Sequence, residues 1–189
     1  MDNKLFIPVL LGTPRKNRES GNVARWVCSK MRERDDIETQ LFDVCDFGLP
    51  HDHYGQEIKD QFPEWRDAII RADGLVIVTP EYNHGYPGLL KHVLDSCLKE
   101  YIHKAVGIVG VSAGPFGGTR VIENLLPVMR ELGLVTIFWD VNFSSVHKVF
   151  DSSGKLLDES YLRRIDKFLA ELIWMSKTLR HGRENVTTD

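Results

Sequence analysis

The sequence has few cysteines, no long apolar run and no concentration of basic charge, and each absence excludes a class of protein. No apolar run approaches the ~18 residues that suggest a membrane-spanning helix. A net charge of -3 without a polybasic patch argues against nucleic acid or an anionic membrane as a partner. The three cysteines form neither a CxxC pair nor an even set for disulfides, so we expect small buried or half-buried thiols at Cys28, Cys45 and Cys97.

The amino-terminal stretch MDNKLFIPVLLG lacks the basic segment, the long apolar stretch and the cleavage site of a secretory signal. We therefore expect a cytoplasmic protein. The sequence also lacks internal repeats and low-complexity linkers, and its length predicts a single domain over residues 1–189. The polar stretch 182–189 is expected to be a frayed tail.

Runs rich in Val, Ile and Leu alternate with helical patterns along the chain. The runs are mostly continuous rather than alternating, as expected for strands that helices cover on both faces. We predict strands at 5–11, 38–43, 74–79, 105–111 and 134–138, and helices at 21–33, 63–72, 87–98, 118–132 and 158–179. This order indicates an α/β fold with right-handed crossovers, a doubly wound five-stranded parallel sheet with helices on both faces. Ligands of such sheets bind beyond the carboxyl ends of the strands, so the loops after strands one, three and four are candidate sites.

The loop after the first predicted strand, GTPRKNRESGN, combines basic, hydroxyl and amide side chains with a predicted helix start. Backbone N–H groups and partial positive charge at a helix start suit a phosphate dianion, and arginine adds a planar fork of donors. The loop lacks the glycines and terminal lysine of G-x-x-x-x-G-K-[ST], so a magnesium-dependent phosphoryl transferase is not expected. On this loop alone, a phosphate site and a solvated basic loop with Ser20 as a simple N-cap are equal alternatives.

The loop after the third predicted strand belongs to the stretch TPEYNHGYPGLLKHVLD, residues 79–95. Two prolines stiffen it, while Gly85 and Gly88 permit sharp turns and the close approach of another backbone. Exposed backbone edges beside the aromatic side chains predict a site for a flat heteroaromatic ring. The alternative is an ornate surface turn. The aromatic side chains are Tyr82, His84 and Tyr86.

The loop after the fourth predicted strand, in SAGPFGGTRVIENLL, is rich in small residues. Such positions let backbone N–H groups lie against the polar edge of a ring, or let a helix and a strand pack closely. Alone this motif is weak, but three such loops at one sheet edge support one another. The small residues are Ser112, Gly114, Gly117 and Gly118.

Together these motifs resemble those of the NADPH-dependent FMN reductase family of flavodoxin-like proteins, which includes quinone, azo-dye and chromate reductases. The stretch PEYNHGYPGLLKHVLD is similar to the family's P-E-Y-N-x-x-x-P-x-x-L-K-N-x-x-D pattern. GTPRKNR is similar to its G-S-x-R-x-x-R phosphate loop, and SAGPFGG to its second ring loop. The similarity extends over residues 5–179. Thr13 replaces the usual serine and keeps the hydroxyl, and His92 replaces the usual asparagine.

The resemblance implies a flavodoxin-like fold with FMN as cofactor and NADPH or NADH as reductant. It would place the phosphate on the first loop, at Thr13, Arg15, Arg18, Ser20 and Asn22. It would place the isoalloxazine ring against the two later loops, at Pro80, Glu81, Tyr82, Asn83, His84, Gly85, Ser112, Gly114, Gly117 and Gly118. It also implies a homodimer or homotetramer built on helix 87–98, whose partner completes the flavin pocket.

The implied reaction is a ping-pong transfer of hydride from NAD(P)H through FMN to quinones or similar small acceptors. Because the flavin carries the redox chemistry, we assign no catalytic residue, and His84 as a proton donor to a quinone is an alternative. A flavin-binding redox sensor or interaction protein with little turnover is the competing hypothesis; the enzyme is favoured because no extra partner-binding segment is present. No metal is expected, since the stretch 51–53 has no further ligands in view.

Overall fold

The computed structural model describes residues 4–48, 50 and 52–186, in which strands and helices alternate. The strands are β1 (Leu5–Phe6), β2 (Val9–Leu11), β3 (Ile37–Glu38), β4 (Leu41–Asp43), β5 (Gly74–Pro80), β6 (Lys104–Val111), β7 (Leu134–Thr136) and β8 (Val141–Phe143). The α-helices are α1 (Ser20–Arg32), α2 (Pro63–Arg71), α3 (Gly88–Asp95), α4 (Thr119–Glu131) and α5 (Ser160–Asn185). Short 3₁₀ helices span Gly55–Gln61, Lys99–Tyr101 and Val146–Lys148.

The pairings among these strands are parallel, as the continuous apolar runs predict. The main sheet has the order β4-β2-β5-β6-β7 with β8 also paired to β6, and β1 and β3 form a separate pair. The main sheet therefore has six strands rather than the predicted five, because β8, which was not predicted, pairs with β6 beyond the end of β7.

The first two predicted strands are each divided into two short strands. In the first, the division falls at Pro8, which has no N–H to donate to the ladder. The pairing continues across it, because Ile7 N donates to Glu38 O at 2.9 Å and Val9 N donates to Gln40 O at 2.8 Å. The doubly wound, flavodoxin-like fold is thus confirmed with more, shorter strands than predicted.

Helices cover both faces of the sheet, and successive side chains of a strand point to opposite faces. In β5, Val76 and Val78 join an apolar cluster with residues of α1 and α5. Leu75 and Ile77 join a second cluster with residues of α2, α3 and α4. Burial on both faces is the reason that β5 reads as an unbroken apolar run.

Two helix ends differ from the prediction by three residues or more. The last helix, α5, continues to Asn185, so 182–185 are helical rather than part of a frayed tail, and 187–189 lie outside the described residues. Its last turns are anchored, because Arg180 and Arg183 both pair with Asp73. Helix α3 ends at Asp95 rather than at residue 98. Within the described part of the chain, no helix combines the length and the apolar character needed to cross a membrane.

Candidate functional site

The three predicted loops follow β2, β5 and β6, which are neighbours in the sheet, so all three lie at its carboxyl edge. Hydrogen bonds connect them. The hydroxyls of Thr13 and Tyr82 are 2.9 Å apart and join the first loop to the second. Glu81 N donates to Val111 O at 3.0 Å, which joins the second loop to the end of β6. The loops therefore form one continuous rim.

The hydroxyl of Ser20 is the most informative atom of the first loop. It is buried and has no hydrogen-bond partner among the described residues. Ser20 is the first residue of α1, and the N-cap is Glu19 in helical conformation without a side-chain capping bond. The alternative in which Ser20 is a simple N-cap is therefore wrong. An orphaned hydroxyl beside the positive end of a 13-residue helix suits an anionic ligand.

The other predicted phosphate residues differ in exposure and in the protein groups that they already contact. Arg15 is exposed, whereas Thr13 is fully buried. Arg18 forms an ion pair with Asp43 at the end of β4 and donates to Cys45 Sγ at 2.9 Å. The Asn22 amide donates to Glu19 Oε2 at 3.0 Å and accepts from Arg25 at 2.6 Å. Arg18 and Asn22 are thus already bound within the protein, which the sequence did not reveal.

Residues 82–85 form a tight turn at the tip of the second loop. Tyr82 N donates to Gly85 O and Gly85 N donates to Tyr82 O, each at 2.9 Å. Positive φ angles fall on Asn83, 49°, and His84, 68°, so these two residues rather than Gly85 or Gly88 make the sharp turn. Two central residues of positive φ are typical of type I′ geometry, which asparagine tolerates better than most residues.

Two side chains of α4 hold this turn, and sequence reasoning missed both. Arg120 Nε donates to Glu81 Oε1 at 2.7 Å, and Asn124 Nδ2 donates to His84 O at 2.5 Å. Only 7% of the Glu81 side chain is exposed, and its Oε2 has no partner among the described residues. The available signal was the spacing of Arg120 and Asn124 in GGTRVIEN, which puts them on one face of a helix.

The third loop uses its glycines for packing rather than for an open edge. Gly117 and Gly118 have φ angles of 61° and 78°. A Cβ on Gly118 would lie 2.7 Å from Val111 N, and one on Gly117 would lie 2.7 Å from Asn142 Cβ. Gly114 differs, because an added Cβ there would meet nothing within 4 Å. Of the two sequence interpretations, close packing applies to Gly117 and Gly118, and Gly114 leaves room for a ligand.

A cavity of about 390 Å³ lies beside the start of α3. Its lining includes Tyr54, whose ring stacks on the ring of His92 at 5.0 Å between centroids. His92 Nε2 lies 3.1 Å from Pro50 O. His92, which replaces the asparagine of the family pattern, thus connects α3 to the segment at Pro50. Gly88, the first residue of α3 after the second loop, is part of the lining.

The remaining candidate groups are the stretch 51–53 and the three cysteines. His51 lies outside the described residues, and Asp52 pairs with His53 Nδ1 at 3.1 Å. Among the ranges that the structure describes, no three His, Cys, Asp or Glu side chains are grouped to hold a metal ion.

Burial raises the pKa of Cys28 and of Cys97 to about 11, so both are unreactive thiols. Cys45 is exposed, contrary to the prediction for the three cysteines.

The residues present fit a phosphorylated, planar ligand. An orphaned hydroxyl lies at a helix start, a buried carboxylate oxygen lies at the second loop, and Gly114 leaves open space in the third. Fold and rim together define the class of the protein, a flavodoxin-like α/β protein whose candidate site lies at the carboxyl edge of its sheet.

Comparison with known proteins then gives the family. The family model described as NADPH-dependent FMN reductase matches residues 6–148. The chain therefore belongs to the NADPH-dependent FMN reductase family, whose cofactor is FMN and whose reductant is NAD(P)H.

Similar proteins agree with this membership. An NAD(P)H-dependent FMN reductase of Pseudomonas aeruginosa is 30% identical over 150 residues, covering 75% of this chain and 80% of the relative. An FMN-dependent NADPH-azoreductase of Staphylococcus aureus is 28% identical over 178 residues, covering 87% and 92%. The structure of a flavoenzyme NAD(P)H:acceptor oxidoreductase from Paracoccus denitrificans superposes with a TM-score of 0.76 at 22% identity, covering 92% of this chain and 98% of that one, and supports the fold.

Proposed function

We propose that the protein is an FMN-dependent NAD(P)H oxidoreductase that passes hydride in a ping-pong cycle to quinones or similar small acceptors. The observation that carries the proposal is the buried hydroxyl of Ser20 at the start of α1, which has no hydrogen-bond partner among the described residues and lies on the same rim as the two later loops. The names of the similar azoreductase and acceptor oxidoreductase support a small-molecule acceptor.

The first loop would bind the phosphate through Thr13, Arg15, Arg18, Ser20 and Asn22. The partial positive charge of the α1 start, the Ser20 hydroxyl and the exposed Arg15 guanidinium favour a dianion there. A guanidinium has five N–H donors, so Arg18 can donate to phosphate while it keeps its ion pair with Asp43. That ion pair would hold Arg18 in place before the ligand arrives.

The two later loops would bind the isoalloxazine ring. When bound, FMN supplies the hydride chemistry, so the chain needs to supply orientation and hydrogen bonds. Backbone N–H and C=O groups at 80–85 and 112–118 would meet the polar edges of the ring, and Gly114 would give room for it. We assign no catalytic side chain and no metal.

Reductant and acceptor would occupy the same open face in turn, which is the physical basis of a ping-pong cycle.

We also propose a cytoplasmic homodimer or homotetramer. Leu90, Val93 and Leu94 of α3 are buried within the chain, so a partner would pack on the partly buried Leu89 and Leu98. Light scattering after size exclusion tests this, and a monomer at micromolar concentration would contradict it.

The test of function begins with purified protein and its visible absorbance. We expect a flavin spectrum, rapid bleaching when NADPH is mixed in anaerobically, and recovery of the colour when a benzoquinone is added. Repeated cycles with stoichiometric loss of NADPH would support the reductase.

The competing function is a redox sensor that binds flavin and has little turnover. Slow bleaching with NADPH, followed by no reaction with the quinone, would favour the sensor and contradict our proposal. A purified protein without any affinity for FMN would contradict both.

A further inference from the structure

We propose that Arg120 and Asn124 of α4 are positioning residues. They hold the loops after β5 and β6, the two ring loops, in place relative to each other, and so set the affinity of the site for the isoalloxazine ring. This inference rests on the proposed function. It extends the site beyond the loops themselves, to a helix face that neither the glycine-rich motif nor the P-E-Y-N motif contains.

Arg120 joins the two ring loops to each other. Its Nε donates to Glu81 Oε1 at 2.7 Å, in the loop after β5. Its guanidinium also lies over the ring of Phe116, 4.8 Å from the centroid, in the loop after β6. A single planar cation thus contacts both loops, in addition to the bond from Glu81 N to Val111 O that joins them.

Asn124 holds the tip of the turn. Its amide donates to His84 O, the carbonyl of one of the two residues with positive φ. Residues in this backbone region persist only where the surroundings favour them. Arg120 and Asn124 are four positions apart on α4, so one rigid face supports the turn at Glu81 and at His84.

Loss of Arg120 would leave Glu81 poorly satisfied. One carboxylate oxygen already lacks a partner among the described residues, and only 7% of the side chain is exposed. Without Arg120, both oxygens would be buried without a donor, and the second loop would have to move to hydrate them. The ring site would then change, while the phosphate loop would keep the contacts that do not involve the second loop, such as Arg18 with Asp43.

Titrations with FMN and with riboflavin, which lacks the phosphate, separate ring binding from phosphate binding. For Arg120→Ala we expect both ligands to weaken by the same factor, about ten-fold, because a charge-assisted hydrogen bond and a stacked contact support the loop. Asn124→Ala should weaken both in the same pattern, by a smaller factor. Ser20→Ala should weaken FMN alone. Arg130→Ala, an exposed arginine on the same helix, is the matched control and should bind both flavins as the wild type does.

A second readout distinguishes positioning from general instability. The visible circular dichroism of bound flavin reports how the ring is held, and it should change in Arg120→Ala at saturating FMN. Arg120→Lys should partly restore affinity, because lysine can pair with Glu81 but cannot stack its charge flat on Phe116. In a double-mutant cycle, Glu81→Gln and Arg120→Ala should be less than additive.

Unchanged riboflavin affinity in both α4 variants would overturn the inference, whether or not FMN affinity falls. Additive effects of Arg120→Ala and Glu81→Gln would also overturn it. If Arg120→Ala does not fold, Asn124→Ala decides, since it removes one exposed side chain. Wild-type protein that binds neither flavin would refute the proposed site itself, a result distinct from normal wild-type binding with unaffected variants.

Discussion

The carboxylates of Asp73, just before β5, and Glu81, just after it, are at opposite ends of the same strand, and each side chain is 7% exposed. Asp73 accepts from Phe6 N at 3.0 Å, Arg180 Nε at 2.7 Å and Arg183 Nη2 at 3.0 Å. Glu81 is bonded by Arg120 at one oxygen, and its other oxygen has no partner in the described part of the chain. The amino edge of the sheet therefore satisfies its buried charge more completely than the carboxyl edge.

This difference separates a structural end from a binding end. Buried polar groups in proteins are normally hydrogen-bonded, so an unpaired one indicates strain or a missing partner. Among the described residues, Ser20, Glu81 and His92 have such atoms, the first two in the loops at the carboxyl edge and the third in α3, which follows the second loop. Ser176 near the start of β5 is also unpaired, but a Cβ on Gly74 would lie 2.6 Å from its Oγ, which leaves no space for a ligand. The carboxyl edge thus combines the unpaired groups of Ser20 and Glu81 with open space at Gly114.

The largest expected effect concerns the binding end. Arg15→Ala combined with Arg18→Ala should weaken FMN binding by about 3 to 6 kcal/mol, since each charge-assisted hydrogen bond contributes roughly 1.5 to 3 kcal/mol. Riboflavin affinity should hardly change, because riboflavin has no phosphate. Isothermal titration measures both, with the exposed Arg32→Ala on α1 as control. Unchanged FMN affinity would reject the phosphate assignment.

The structural end should respond in stability rather than in binding. Asp73→Ala leaves Arg180 and Arg183 without their shared partner and should lower the free energy of unfolding by about 3 to 5 kcal/mol. Urea denaturation measures the loss. Asp60→Ala, which removes an exposed partner of Arg66, should cost at most about 1 kcal/mol. Equal losses in the two variants would remove the contrast between the edges.

Ser20→Ala sharpens the comparison at a single atom. FMN binding should weaken by about 1 kcal/mol, the usual contribution of one hydrogen bond, while stability in the absence of FMN should not fall. The reason is that the hydroxyl has no hydrogen-bond partner to lose in the described part of the chain. Ser29→Ala on the same helix breaks a bond to Trp26 O at 2.7 Å and should lower stability without affecting FMN. A stability loss in Ser20→Ala without an affinity change would show that the hydroxyl is structural.

The last comparison is a pH dependence at the structural end. Burial lowers the pKa of Lys104 from 10.5 to about 8. Between these values the unfolded chain binds more protons than the folded one, so the Lys104 contribution to stability rises with pH from about 8 to 10.5 and is least favourable below 8. Lys104→Met should flatten this rise in urea denaturations run at several pH values. Parallel curves for the two proteins would contradict it.

The fold could be predicted largely from the sequence, because continuous apolar runs alternate with amphipathic stretches and only a doubly covered parallel sheet buries both faces of the strands. The prediction failed where tertiary packing overrides local pattern. Strand β8 was missed, since it is short and its pairing partner β6 is distant from it in the sequence. Helix α5 extends past Gly182 because Asp73, distant in sequence, binds its last turns.

The site was predicted as three loops but not as a set of contacts. The positions of Ser20 and the P-E-Y-N turn follow from motif and strand order, because the carboxyl ends of neighbouring parallel strands meet at one edge. The strained residues were assigned to the wrong positions, since the turn uses Asn83 and His84 rather than Gly85. The engagement of Arg18 by Asp43 was also invisible, because no local pattern connects these two residues.

By itself, the sequence determined the layer order of the fold, the edge that carries the loops and the family motifs within them, because these depend on patterns within single segments. Only the tertiary structure decided which polar groups are satisfied: Asp73 by Arg180, Glu81 by Arg120, and Ser20 by no described residue. Such partners come from segments far apart in the chain, and burial makes the presence or absence of a partner energetically decisive.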